Sequence, residues 1–134
     1  MIDIVNEVFD TVAKRVRATH RGVKVKGEYI RMPSEFPTVT LDEITNTVVG
    51  RLEDSSREEK YAHVTYRLQV FSNKKNGKKS EAREIFATAD MVMRELGFRR
   101  VTYTTTPEMY ESTMYSITAT YEAIVSADGV TYRE

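Results

Sequence analysis

The sequence predicts an α+β fold, a mostly antiparallel β-sheet with two amphipathic helices packed on one face. Three observations carry this. Residues 61–73 alternate, with Ala62, Val64, Tyr66, Leu68 and Val70 on one side and His63, Thr65, Arg67 and Gln69 on the other. That period of two describes a strand with one buried and one wetter face. Next comes a helical stripe of Ala82, Ile85, Phe86, Ala89, Met93 and Leu96 at three- and four-residue steps. A second long alternating run over 113–126 puts Tyr115, Ile117, Ala119, Tyr121, Ala123 and Val125 on one face.

The other elements follow in order. A first helix is expected over 3–20, with Ile4, Val5, Val8, Phe9, Val12 and Val16 as its stripe. Asp3 can cap it. Lys14, Arg15, Arg17 and His20 gather toward its end, where cations complement the helix dipole, and Gly22 closes it. Residues 23–30 alternate weakly and read as a short exposed strand. Pro33 and Pro37 bound a loop, since two prolines in five residues do not fit a central strand. Residues 39–41 and 45–52, rich in Thr and Val, read as two strands. The charged segment 53–60 is a solvated connection. The helix over 82–96 ends at Leu96-Gly97-Phe98. Gly97 supplies a left-handed residue and Phe98 folds back on Met93, as in a Schellman motif. Residues 99–106 form a strand before Pro107, and Asp128-Gly129 is a hairpin signal leading to residues 130–132.

At 134 residues the chain is expected to be one domain, 1–134, large enough for a real core. Twenty basic and twenty acidic residues cancel, so the chain is not built for nonspecific duplex binding. There is no cysteine, which removes disulfides, thiolate metal sites and cysteine nucleophiles. No apolar run approaches the roughly 20 residues a membrane helix needs. The expectation is a soluble protein made in a cytoplasm.

Signatures of chemistry are sparse. The chain contains no GxGxxG, P-loop, HExxH or GxSxG motif. Its two histidines, His20 and His63, have no partners at metal or catalytic spacing. The adjacent acids Asp42-Glu43, Glu53-Asp54 and Glu58-Glu59 read as solvated charge. No catalytic residue, cofactor site or metal site is therefore expected. The sharpest local feature is the basic segment Lys74, Lys75, Asn76, Gly77, Lys78 and Lys79 between strand and helix. It reads as a solvated or inter-subunit loop, with contact to phosphate as the alternative. Charge is also uneven, basic over 14–31 and acidic over 42–59, which suits head-to-tail association as well as an ordinary surface. Tyrosines 103, 110, 115, 121 and 132 crowd the last third, in keeping with interfaces or half-buried strands.

Several features combine into a pattern: the opening helix, Phe36-Pro37-Thr38-Val39-Thr40-Leu41, the strand Tyr66-Arg67-Leu68-Gln69-Val70-Phe71-Ser72-Asn73, then Gly77, the helix with Ala82 and Ala89, Leu96-Gly97-Phe98-Arg99, and a long final strand with Tyr115 and Tyr121. Over most of the chain this order resembles the tail terminator proteins of long-tailed bacteriophages, also called tail-to-head joining or tail completion proteins. The resemblance implies a structural virion protein rather than an enzyme. Its copies would form a hexameric ring that caps the tail tube protein, stops its polymerisation and meets the head connector protein. DNA would pass through the lumen without sequence-specific binding. Assembly would occur in the host bacterial cytoplasm, and no membrane or cofactor is implied. The family carries over no catalytic residue. Lys74, Lys75, Asn76, Gly77, Lys78 and Lys79 become a candidate loop facing the lumen or a partner. The alternatives are another head–tail connector, neck or minor capsid protein, a nucleic-acid-binding α+β module using that loop, and a small enzyme with a scattered site near His63.

Overall fold

The computed structural model describes residues 2–48, 61–105, 114–126 and 131–132. Along them run α1 (Val5–Thr19), β1 (Lys24–Lys26), β2 (Thr38–Val48), β3 (Tyr61–Ser72), α2 (Lys78–Glu95), β4 (Arg99–Thr105), β5 (Tyr115–Ser126) and β6 (Thr131–Tyr132). The strands form one sheet in the order β1-β2-β3-β5-β4, with β6 also pairing β5. Only β1 with β2 is parallel; the other pairings described are antiparallel. The α+β architecture expected from the alternation is the one observed.

The two long alternating strands lie side by side at the centre. Val64, Tyr66, Leu68 and Val70 of β3 stand opposite Ala123, Tyr121, Ala119 and Ile117 of β5, and all eight are buried. Both helices cover this face, α1 over β1 and β2, α2 over β3 and β5. Their inward stripes are Val8, Val12, Ala13 and Val16, then Ala82, Ile85, Phe86, Ala89, Val92 and Met93. One apolar layer therefore joins α1, α2, β2, β3 and β5. Removing it from water is the main stabilising term, at about 25 cal/mol per Å² of apolar surface.

The helix ends follow local chemistry. Asp3 Oδ1 accepts from Val5 N at 3.1 Å, so the first acid satisfies one orphan donor of α1. At the end of α2, Gly97 has φ 97°. There Phe98 N donates to Met93 O and Gly97 N to Arg94 O, both at 3.0 Å. This pair of bonds is the expected Schellman closure. It delivers Phe98, fully buried, against Tyr66 with ring centroids 5.2 Å apart.

Other expectations are corrected. The strand expected over 23–30 is only Lys24–Lys26. Beyond it the chain must cross over to run parallel to β2. Residues 27–37 make that crossover, and at Tyr29 and Ile30 it lies over the sheet face the helices leave open. There Tyr29 stacks on Arg67, with the guanidinium carbon 4.2 Å from the ring centroid. Gln69 clasps Ile30, accepting from its N at 3.3 Å and donating to its O at 3.2 Å. Over the described residues the strands expected at 39–41 and 45–52 are one strand, Thr38–Val48, with a register shift at Ile44, and residues 49–52 lie outside the described residues. A bulge adds one residue there, which breaks the alternation in the sequence without ending the strand. The basic segment is not all loop, because Lys78 and Lys79 belong to the first turn of α2. Asp128-Gly129, Tyr110 and the acids at 53, 54, 58 and 59 lie outside the described residues. The pairing of β5 with β6 agrees with the hairpin signal.

Candidate functional site

The basic segment sits where β3 hands over to α2. Gly77 precedes the helix with φ 114° and no side-chain cap. Glu81, in the first turn, instead takes a hydrogen bond from Ser72 Oγ at 2.6 Å, and Ser72 Oγ accepts from Lys74 N at 3.3 Å. A carboxylate thus already occupies the positive end of the helix. Beside it lies a cleft of about 420 Å³ lined by His20, Arg21, Lys74, Asn76, Ser80, Glu81 and Glu84 among others. Acids and bases share its wall, so it lacks the one-signed charge that gathers phosphate. His20 is engaged across the helices: its Nε2 meets Thr88 Oγ1 at 2.8 Å and joins the end of α1 to α2.

The open face of the sheet is polar. Its rows run across the strands as Thr40–Gln69–Thr118–Thr104, Asp42–Arg67–Thr120–Thr102 and Thr45–Thr65–Glu122–Arg99. Thr40 Oγ1 donates to Gln69 Oε1 at 2.6 Å. Arg67 grips Asp42 with two bonds, Nε to Oδ1 at 3.2 Å and a terminal nitrogen to Oδ2 at 2.6 Å. His63 Nε2 lies 3.1 Å from Glu122 Oε1, and Arg99 binds the other oxygen of the same carboxylate. Arg99 first and His63 second hold the Glu122 carboxyl below its ordinary value. Sequence reasoning gave His63 no partner; the partner is 59 residues away and appears only when β3 pairs with β5. Among the described residues no group of three His, Asp or Glu side chains is arranged to hold a metal ion.

On the helix side Asp90 is a buried hub. Its Oδ1 accepts from the Tyr121 hydroxyl at 2.6 Å and from Arg100 at 3.1 Å. Burial first, and the hydrogen bond to Asp90 second, push the Tyr121 hydroxyl well above its ordinary value. One carboxylate so joins α2, β4 and β5. The signal in sequence was an acid inside an apolar stripe, between Ala89 and Val92.

The sheet's lateral margins carry strand edges without a partner among the described residues. At one margin, β1 pairs only with residues 38–40 of β2. Among the described residues no strand pairs with the outer edge of 42–48. At the other, no described strand pairs with the outer edge of β4. Each edge carries one bulge with an exposed aliphatic residue at it, Ile44 in β2 and Val101 in β4. Val48 and Tyr103 are further exposed apolar side chains on these edge strands.

No family model matches the chain, and no curated protein sequence matches it. Among the described residues no helix is long and apolar enough to cross a membrane.

Proposed function

We propose that this chain is a structural virion subunit of the tail terminator kind, a non-enzymatic protein whose copies close into a ring that caps the tail tube and joins tail to head. The observation that carries this reading is the sheet with one face sealed by helices and, among the described residues, both lateral edges open. Open edges invite uncontrolled pairing in a monomer, and a closed ring of copies occupies them all. The ring number six, the tube and connector as partners, the lumen for DNA and the location in the virion come from the family resemblance.

In this reading Lys74, Lys75 and Asn76 leave the sheet at the end of β3, between the two margins. That position supports a role on a ring face or in the lumen rather than in the seam between subunits. The mixed charge of the adjoining cleft speaks against a dedicated phosphate site. The test is light scattering and negative-stain imaging of the chain alone and with tail tube protein. Rings, free or at tube tips, are expected. A chain that forms no ring and binds no tube end overturns the proposal.

A further inference from the structure

The chain holds four asparagines, at positions 6, 46, 73 and 76, and only Asn76 is followed by glycine. That pair carries a chemistry of its own. The backbone nitrogen of the residue after an asparagine can attack the side-chain amide carbon and close a succinimide ring. A side chain on the attacking residue crowds the ring, and glycine has none. A fold suppresses the reaction by burying the pair or by engaging the attacking N–H.

Here Asn76 and Gly77 are both exposed, in the turn between β3 and α2. Among the described residues no hydrogen bond engages the Asn76 side chain or the Gly77 N–H. With Gly77 at φ 114°, a Cβ on it would meet no atom within 4 Å, so a ring has room. The pair lines the cleft at the start of α2, where solvent reaches it. The other asparagines differ. Asn46 lies within β2, and its amide donates to Ile2 O at 2.8 Å. Asn6 lies within α1 and precedes Glu7. Asn73 is exposed like Asn76, but a lysine follows it, and the Lys74 N–H donates to Ser72 Oγ at 3.3 Å.

Electrostatics favour the same step. Ring closure takes the proton from Gly77 N and puts negative charge on the amide oxygen. Lys74, Lys75, Lys78 and Lys79 flank the pair, and α2 begins there with its positive end. Nearby cations favour both charged species. Glu81 and Glu84 on the cleft wall oppose this in part, and the Glu81 carboxylate already accepts from Ser72 Oγ.

We infer that Asn76 is a self-modification site, converting without an enzyme to aspartate and iso-aspartate through a succinimide with Gly77. The bond from Gly77 N to Asn76 Cγ forms, the Cγ–Nδ2 bond breaks, and ammonia leaves with the Gly77 proton. Water then opens the ring. Breaking the bond from Cγ to the ring nitrogen gives aspartate. Breaking the bond from the backbone carbonyl carbon gives iso-aspartate, with the main chain routed through the side chain. Both products set a carboxylate among the lysines, at the helix end that favours anions. Iso-aspartate also lengthens the main chain just before Gly77, whose carbonyl accepts from Glu81 N at 2.9 Å to open α2. This inference stands apart from the ring reading and changes the charge of the segment 74–79.

The folded chain is incubated in mildly alkaline buffer beside the same chain held unfolded in guanidinium. Peptide mapping by mass spectrometry follows the shift of an amide becoming an acid at each asparagine, and chromatography separates the two products. The expected result is conversion of Asn76 in the folded protein within a few-fold of its unfolded rate, with Asn6, Asn46 and Asn73 unchanged. Asn76→Gln should lose the product, because the longer side chain closes its ring far less readily, and circular dichroism checks that this variant folds. Intact Asn76 in the folded protein overturns the inference, and conversion of the unfolded chain alongside would show that the fold shields the pair. Equal conversion at Asn73 also overturns it, because neither the glycine nor the unengaged N–H would then select the site.

Discussion

The Tyr121 hydroxyl donates to Asp90 Oδ1 at 2.6 Å, a buried hydrogen bond between the central strand β5 and helix α2. The same oxygen accepts from Arg100. Helix, centre and edge of the sheet therefore meet at one carboxylate. A hydrogen bond to a charged group contributes roughly 1.5–3 kcal/mol. Tyr121→Phe removes the donor and leaves Asp90 with its arginines. The expected loss is about 2 kcal/mol, read as a lower denaturant midpoint with unchanged slope.

The turn at Gly97 makes a second prediction. Its φ of 97° is a left-handed conformation that penalises a Cβ. Gly97→Val should cost on the order of 1 kcal/mol or more, and Gly97→Asn less, since asparagine tolerates this region better. Chemical denaturation of the three proteins checks the order. Equal stability would mean the closure at Met93 O does not hold the end of α2.

Acid should weaken the sheet's open face. The folded Glu122 carboxyl is held below its ordinary value of 4.5 by Arg99 and then His63. A group whose pKa is depressed on folding contributes stability that is fully present above the unfolded value. That contribution is lost as pH falls through the folded value. Stability should therefore decline on going below about pH 4.5, and Glu122→Gln should flatten that part of the profile. Thermal midpoints of both proteins across the acid range measure it. Added salt should shrink the difference, because the arginine is more than half exposed.

Gln69 should control the crossover between β1 and β2. It is buried, and it holds Ile30 through both backbone groups while accepting from Thr40. Gln69→Ala leaves those groups without partners, at roughly 1–3 kcal/mol for an unmet buried group. Hydrogen exchange should rise at residues 28–32 with the core strands little changed. Uniform protection across both proteins would show that the crossover is held otherwise.

Much of the fold was legible because it rests on local periodicity. Alternation in β3 and β5 marked the centre of the sheet, and the stripes of α1 and α2 marked its cover. Gly97 announced the end of α2. What was not legible depends on residues distant in sequence. Ile44 shifts the register of β2, so one strand looked like two. Asp90 drew no notice beside the apolar stripe of α2, because Tyr121 and Arg100 come to it from other elements. His63 looked solitary until β5 brought Glu122 beside it. The basic segment 74–79 was visible as charge, but not that its last two lysines begin a helix or that Glu81 and Glu84 balance it. The open edges are a property of strand order, which single-strand patterns do not encode.

The central claim is that copies of this chain cap a tube. Its most direct test is electron microscopy of tail tube protein polymerising with and without the chain, with tube lengths measured and tips imaged. Rings of the chain at one tip only, and shorter tubes as its concentration rises, are the predicted result. Bare tips and unchanged lengths at every concentration would contradict it.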